Sequence, residues 1–111
     1  MAIYSNFTID QGATFSADID VTDADGDALN LTGYAVAGQM RKSYNSTTFT
    51  AFSSSVSNAT GGVVNITLSA SQTGALKAGR YVYDVEITAS DATVTRVIEG
   101  QIEVTPGVTR A

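Results

Sequence analysis

The chain has 111 residues, a net charge of −5 from six basic and eleven acidic residues, and neither cysteine nor histidine. These counts exclude disulfides, thiolate chemistry, cysteine-ligated metals and any Ser-His-Asp or Cys-His catalytic site within the chain. The six cations form no basic patch, so no nucleic-acid partner is expected. With 43% hydrophobic residues, the chain is expected to fold as one domain over residues 1–111.

The N-terminal ten residues, MAIYSNFTID, have neither a basic start nor an apolar run. This composition predicts a chain without a signal peptide. No stretch approaches the ~20 apolar residues that a membrane helix requires. We therefore expect a soluble domain with no membrane partner.

Alternating apolar and polar residues recur in short segments, which is the pattern of half-buried β-strands. The pattern is clearest from Ala13 to Val21, where odd positions are apolar and even positions are mostly polar. Comparable segments occupy residues 3–9, 34–40, 47–52, 63–68, 80–89 and 94–104. In the last segment, the side chains predicted to face the core are Val94, Ile98, Ile102 and Val104.

Turn-forming glycine, aspartate and serine residues fall between these segments. Residues 43–59, rich in Ser, Thr and Asn, are predicted to form a long exposed hairpin or loop. Residues 71–76 are predicted to form a short helical turn, with Ser71 as its cap and Leu76 near its end. About seven strands with one such turn predict an all-β sandwich or barrel.

Five aspartates crowd into ten residues: Asp18, Asp20, Asp23, Asp25 and Asp27. Oxygen-rich clusters on loops can hold Ca²⁺, which makes Asp23, Asp25 and Asp27 candidate metal ligands. The spacing departs from the twelve-residue calcium loop, since the twelfth position counted from Asp23 is Tyr34. The favoured interpretation is a hairpin turn whose aspartates bond their own backbone, with no metal.

Two pairs of carboxylates share predicted strand faces: Asp84 with Glu86, and Glu99 with Glu103. Glycoside hydrolases use two carboxylates about 5–9.5 Å apart, so both pairs are candidate catalytic groups. An ordinary solvent-facing sheet surface is the favoured interpretation, because nothing in the sequence indicates a cleft. We therefore expect no catalytic residue and no enzyme activity.

The serines of residues 53–55 and the tyrosines of the 80–89 segment are further candidates for a functional role. The serines lack a histidine or nearby lysine to activate them, so they are expected to form a surface tip or a contact with a neighbouring subunit. Tyr81 and Tyr83 share the apolar face of their segment, which favours core positions. One hydroxyl returning to the backbone, as in a tyrosine corner, is compatible with a sandwich.

Three blocks of sequence resemble the small β-sandwich domains of tailed-phage virions, most closely the N-terminal domain of baseplate upper proteins and related tail proteins. The blocks are LNLTG at 29–33 with the strand that follows, GVVNITLS at 62–69 with AGRYVYDV at 78–85, and TRVIEGQIEV at 95–104 with the closing Val108 and Thr109. Together they span about residues 13–109. The resemblance implies a single Ig-like antiparallel β-sandwich that docks on other virion proteins and has no catalytic residues. We also expect no cofactor.

The expected function is therefore a non-catalytic structural component of a tailed-phage tail or baseplate, assembled in the host cytoplasm and located in the virion. Its expected partners are other virion proteins and further copies of itself. Two alternatives stay open. One is a capsid decoration protein of the same fold, and the other is a free-standing, Ca-assisted ligand- or carbohydrate-binding module that uses residues 18–27.

The candidate assembly contacts lie in the terminal segments 2–8 and 105–111. Free strand edges and short tails can dock by strand addition, which directs attention to these segments. The individual candidates are Ile3, Tyr4, Phe7, Val108 and Arg110.

Overall fold

The computed structural model describes residues 3–23 and 25–108. Within this part of the chain there are nine strands and one short helix. In chain order they are β1 Ile3–Tyr4, β2 Phe7–Asp10, β3 Phe15–Asp20, β4 Ala35–Arg41, β5 Thr50–Ala51, β6 Ser53–Asn58, β7 Val63–Leu68, α1 Ala70–Gly74, β8 Gly79–Thr88 and β9 Val94–Thr105. None of the described helical residues forms a segment long and apolar enough to span a membrane.

The strands form two sheets that face each other across one apolar core. The larger sheet has the order β1-β9-β8-β4-β5, with β2 also pairing β9, and the smaller sheet has the order β3-β7-β6. Alternate side chains of both sheets meet inside; those with less than 2% exposure include Ile9, Met40, Val64, Ile66, Leu68, Val85 and Ile102. This topology is an Ig-like β-sandwich, as the sequence predicted.

The strands with the cleanest alternation form as expected. β7 has the predicted bounds, and Val64, Ile66 and Leu68 are buried on one face. In β8, Tyr83, Val85 and Ile87 are buried. In a strand every second side chain lies on the same face, so the alternating apolar residues of these segments reach the core together. A helix would distribute them around its circumference.

The N-terminal segment departs from the prediction of one leading strand in an antiparallel sheet. It is divided into β1 and β2, and both pair β9 in parallel, with Ile3 opposite Ile98 and Phe7 opposite Ile102. The division falls at Ser5 and Asn6. There the Ser5 carbonyl accepts the Tyr83 hydroxyl, and the Asn6 side chain accepts the backbone N–H of Gln101.

The inward orientation predicted for Val94 is wrong, since its side chain is 55% exposed. A register shift in the β8–β9 ladder places Ile98 opposite Val85 but Arg96 opposite Glu86. Val97 is therefore the extra residue of a β-bulge, and both Val97 and Ile98 are buried. The bulge reverses the alternation, so residues before it face the opposite side from the one that strict alternation predicts.

The segment 43–59, predicted as a long exposed hairpin or loop with a strand over 47–52, contains two strands. β5 and β6 both fall within it, and Phe52 between them is only 6% exposed. Phe52 donates its backbone N–H to the Gly38 carbonyl at 2.9 Å, and its ring packs near Phe15 and Tyr83. This single apolar residue draws the serine-rich segment onto the core, where polar composition alone suggested an exposed loop.

The predicted helical turn exists but begins two residues earlier than expected. Helix α1 spans Ala70–Gly74, and its N-cap is Ser69 rather than Ser71. Ser69 Oγ accepts the backbone N–H of Gln72, and the Gln72 side chain accepts the backbone N–H of Ser69 in return. This reciprocal capping box satisfies two N–H groups at the start of the helix, which fixes its first residue.

The β8–β9 turn holds one non-glycine residue with a positive φ, Ala92 at 71°. The left-handed region costs an alanine about 1–2 kcal/mol, whereas glycine adopts it freely. We expect Ala92→Gly to raise the free energy of unfolding by about 0.5–1 kcal/mol. Ala75→Gly is the matched control, because Ala75 has φ −84° and should lose stability. Urea denaturation measures both, and a destabilised Ala92→Gly would contradict the prediction.

Candidate functional site

The outer face of the larger sheet carries an open depression with a volume of about 420 Å³. It lies over β4, β8 and β9, and its lining includes Gln39, Arg41, Tyr44, Asp84, Arg96 and Glu99. These side chains point away from the core because their neighbours Met40, Tyr83 and Ile98 point into it. The depression is therefore a polar surface built on the rigid strands of the sheet.

Arg96 holds two carboxylates at the depression. Its Nε lies 3.2 Å from Asp84 Oδ2, and its Nη1 lies 3.5 Å from Glu99 Oε1. The Arg96 side chain is 50% exposed, so water screens both contacts and each contributes about 0–1 kcal/mol. The arrangement orders charge on the surface rather than stabilising the fold, and it suits recognition of a polar or charged partner.

Arg41 anchors the loop that forms one rim of the depression. Its Nη1 donates to the Ser46 carbonyl at 2.6 Å, and its Nη2 donates to Gln39 Oε1 at 2.9 Å. The guanidinium also lies 4.8 Å from the ring centroid of Phe49. The fixed loop leaves Tyr44 79% exposed at the rim, where an aromatic side chain can contact a bound partner.

A second exposed surface lies at the N-terminal edge of the same sheet, on β1. Ile3 and Tyr4 are 51% and 63% exposed. Phe7, the third predicted contact of this segment, is half-buried instead, with its ring centroid 5.8 Å from that of Phe15 and 5.5 Å from that of Tyr83. The ring of Phe7 belongs to the core side of β2, which leaves Ile3 and Tyr4 as the accessible side chains.

The C-terminal candidates lie after β9. Val108 is 95% exposed, at the end of the described chain. Arg110 lies outside the described residues, as do residues 2 and 109–111 of the predicted terminal segments. Gln11 lies at this same end of the sheet, because its side chain accepts the backbone N–H of Gly107 at 3.1 Å.

Tyr83 fastens the N-terminal edge to the sheet. Its hydroxyl donates to the Ser5 carbonyl at 2.6 Å, which replaces a ladder bond at the break between β1 and β2. Asn6 Oδ1 accepts the backbone N–H of Gln101 at 2.9 Å and replaces the next one. Tyr81 makes a similar return to the backbone, with its hydroxyl 2.8 Å from the Lys77 carbonyl. Both tyrosines pack on the core side, as predicted. The predicted return of one hydroxyl to the nearby backbone forms at Tyr81, whereas the Tyr83 hydroxyl bonds a distant strand.

Replacing Tyr83 with phenylalanine is expected to cost about 1–2 kcal/mol at neutral pH, because the Ser5 carbonyl loses its donor. Burial, with a smaller contribution from Tyr4, raises the pKa of the Tyr83 hydroxyl above its ordinary value of 10.0. The folded state therefore favours the neutral hydroxyl. Its contribution is complete below pH 10.0 and is lost as the pH rises from there towards the folded-state pKa.

Urea denaturation at pH 7 and above pH 10 measures both effects. The stability of the wild type should fall between the two conditions by more than that of Tyr83→Phe. Tyr44→Phe is the control, since Tyr44 is 79% exposed and its hydroxyl should not affect unfolding. An equal alkaline loss in wild type and Tyr83→Phe would contradict the assignment.

The aspartate cluster forms a turn around Asp23. Asp23 Oδ1 accepts the backbone N–H groups of Asp25 and Asp27 at 2.9 and 3.1 Å. Asp18 lies on the outer face of β3, where its Oδ1 accepts a side-chain N–H of Asn65 at 2.8 Å. Over residues 3–23 and 25–108, no three acidic side chains converge in a group that could hold a metal ion. The candidate ligands Asp23, Asp25 and Asp27 lie in one turn, in which the Asp23 carboxylate accepts backbone N–H groups of the other two.

The structure groups the predicted carboxylates differently from the sequence. Asp84 and Glu99 are brought together across β8 and β9 by Arg96, whereas the sequence paired Asp84 with Glu86 and Glu99 with Glu103. Sequence reasoning did not single out Arg96 as part of this group. Strict alternation with Val94 and Ile98 places Arg96 on the core side, and only the bulge at Val97 turns it outward beside Asp84 and Glu99.

No family model matches the chain, and no curated protein matches it. The solved structures that are similar to this chain include two distant ones. One is a family 123 glycoside hydrolase from Clostridium perfringens, at 13% identity and a TM-score of 0.44, covering 96% of this chain and 24% of that one. The other is the internalin-like protein lmo2027 of Listeria monocytogenes, at 13% identity and a TM-score of 0.45, covering 96% and 28%. This chain thus spans about a quarter of each, and neither protein's activity transfers to it.

Proposed function

We propose that this chain is a non-catalytic structural component of a tailed-phage particle, in the tail or baseplate, that docks on neighbouring virion proteins through β1. The observation that carries the proposal is the exposure of Ile3 and Tyr4 on a two-residue strand at the edge of the larger sheet. The sequence resemblance to tail proteins supports a location in a phage particle, and the β1 edge is the proposed means of attachment.

The edge suits docking by strand addition. Within the described chain β1 pairs only with β9, so its outer side presents backbone groups to a partner strand. Tyr4 adds a large amphipathic ring, a side chain that often dominates binding energy at interfaces. In a symmetric particle, many weak copies of such a contact give firm attachment through multivalency.

The experiment compares variants in cells that carry the phage or prophage encoding the chain. Particles are purified, and the amount of the chain in them is measured by immunoblot. Tyr4→Asp should reduce incorporation at least ~10-fold, because a charge is introduced into an apolar contact. Tyr44→Asp is the matched control. Tyr44 is also exposed but follows β4, which is separated from β1 by β9 and β8, so the variant should be incorporated normally. Absence of the wild-type chain from particles, or normal incorporation of Tyr4→Asp, would contradict the proposal.

The depression on the outer sheet face favours a second candidate, a free-standing module that binds a carbohydrate. Tyr44 at its rim and the ordered groups of Asp84, Arg96 and Glu99 provide stacking and bidentate hydrogen bonding. The Tyr44→Asp variant separates the candidates, since it should abolish binding to an immobilised polysaccharide and leave incorporation unchanged. A rise in thermal stability on adding Ca²⁺ would instead favour the calcium-assisted module that uses residues 18–27.

A further inference from the structure

The two sheets leave a small pocket between them at one end of the sandwich. It has a volume of about 100 Å³ and lies beside β1, between the end of β3 and the start of β9. Its lining is mainly apolar and includes Ile3, Val21, Leu29, Tyr34, Ile87 and Val97. A cavity of roughly 150 Å³ holds a benzene ring, so this smaller pocket suits one branched aliphatic side chain.

Two side chains at the pocket face the core and are nevertheless exposed. Ile3 is paired with the buried Ile98, so both side chains lie on the core side of the larger sheet. Thr95 is paired in the same way with the buried Ile87. Ile3 is still 51% exposed, and Thr95 is exposed as well. The described residues thus leave the core uncovered at this end, and a further apolar group would complete it.

The β1 edge beside the pocket is free. Over residues 3–23 and 25–108, the backbone of Ile3 and Tyr4 pairs with β9 alone. A strand added to this edge would place every second side chain on the core side, where the pocket lies. The backbone of β1 would hold the added strand, and the pocket would hold one of its apolar side chains.

The surroundings of the pocket are acidic. Asp20 lines it, and the turn that follows β3 adds Asp23, Asp25 and Asp27. Residues 1–40 contain no lysine or arginine to balance these carboxylates. The complementary segment is therefore one in which a basic residue lies close to an apolar one.

The C-terminal segment 106–111 has this composition. Its sequence is PGVTRA, and it follows β9 at the opposite end of the sheet from the pocket. Val108 is 95% exposed, and Arg110 comes two residues later. Residues two apart share one face of an extended chain, so an extended segment would bring Val108 to the pocket and Arg110 to its aspartates together.

The segment is too short to fill the pocket of its own chain. From Ile98, which lies opposite Ile3, to Thr105, β9 rises about 23 Å. The chain from Thr105 to Val108 spans at most about 11 Å. Val108 can therefore reach such a pocket only on another molecule.

We propose that the C-terminal segment of one copy adds to β1 of the next copy, in parallel, with Val108 in the pocket and Arg110 beside Asp20. Copies with the same orientation then follow one another end to end. Such a head-to-tail contact closes into a ring or continues as a filament. The inference rests on the docking role of β1 proposed above, and it names a second copy of the chain as a partner of that edge.

Light scattering of the purified chain over a range of concentrations tests the association. The mass of the wild type should rise with concentration above the 11.5 kDa of one copy. Val108→Asp should raise the dissociation constant at least ~10-fold, because an apolar pocket would have to receive a charge. Ser55→Asp is the matched control, with the same change of charge at an exposed position of β6, and it should associate like the wild type. A wild type that stays monomeric, or an association that Val108→Asp leaves intact, would overturn the proposal.

Disulfide formation locates the contact, because the chain has no cysteine of its own. Val108→Cys is mixed with Thr95→Cys, which places a thiol at the pocket, or with Ser55→Cys, which places one away from it. On mild oxidation the first mixture should form the mixed disulfide at least ~10-fold faster, since only the proposed contact brings the two Cα atoms within disulfide range. Equal rates in the two mixtures would overturn the proposal.

The outcomes also separate this contact from the proposed function. Val108→Asp alters the C-terminal segment, whereas Tyr4→Asp alters β1 itself. Loss of Tyr4→Asp from particles, combined with a monomeric wild type in solution, would mean that β1 docks on another protein and that the contact between copies is wrong. Copies that associate through Val108 but are absent from particles would leave the contact standing and contradict the proposed function.

Discussion

Replacing Gly100 with alanine is expected to destabilise the domain by roughly 2–4 kcal/mol. A Cβ at this position would overlap the backbone carbonyl of Ser5, and it would also lie 3.0 Å from Asn6 Oδ1. Both groups belong to the break between β1 and β2, where Ser5 accepts the Tyr83 hydroxyl. The added methyl group would therefore push the N-terminal edge off β9 and remove hydrogen bonds that replace the ladder.

The substitution also affects packing of the core, because β2 contributes the side chain of Ile9, which is only 1% exposed. Backbone atoms of two strands cannot yield as a flexible side chain can, so the clash must be relieved by separating β9 from β1 and β2. Gly74→Ala is the matched control. A Cβ at Gly74 would meet only Gly12 Cα, at 3.8 Å, and the substitution should leave stability unchanged or raise it by up to about 1 kcal/mol.

Urea denaturation of wild type, Gly100→Ala and Gly74→Ala measures the difference. If Gly100→Ala unfolds within about 0.5 kcal/mol of wild type, the tight crossing of the N-terminal segment over β9 is wrong. A loss in both variants would indicate a general sensitivity to alanine rather than a clash at Gly100.

Replacing Thr73 with valine is expected to cost about 2–3 kcal/mol, although the two side chains have nearly the same shape. Thr73 is fully buried, and its hydroxyl donates to the Ala13 carbonyl at 2.8 Å while accepting the Gly12 N–H at 3.1 Å. These bonds fasten helix α1 to the connection between β2 and β3. Valine would remove both bonds, and with them the polar attachment of the helix to this connection.

Thr73→Ser separates the hydrogen bonds from the packing. It keeps the hydroxyl and loses one methyl group, so it should cost about 1 kcal/mol. Thermal or urea denaturation should therefore rank wild type above Thr73→Ser and Thr73→Ser above Thr73→Val. Equal stability of the two variants would show that the methyl group, rather than the hydroxyl, matters at this position.

The parts of the fold that the sequence predicts are those governed by local alternation. β7 and β8 have one buried and one solvent-facing side, and the residues that alternate are the residues that pack. Phe52 and Thr73 were not recognised because their burial depends on residues far away in the chain. The partners of Thr73, for example, lie about sixty residues earlier, at Gly12 and Ala13.

The candidate site shows the same limit. A regular hairpin through the turn at Asp91 would place Asp84 opposite Ile98, and only the bulge at Val97 moves Glu99 beside Asp84. The bulge arises because two consecutive apolar residues, Val97 and Ile98, are both buried. Alternation cannot predict which of two adjacent apolar residues becomes the extra one, so the group around Arg96 was not accessible from the sequence.

The role in a tailed-phage particle is tested most directly by immunogold electron microscopy of particles from cells that carry the encoding phage or prophage. An antibody raised against the purified chain is applied to intact particles and to free tails. The proposal predicts gold at the tail or baseplate. Gold on the head alone would indicate a capsid decoration protein, and particles without gold would contradict a structural role in the virion.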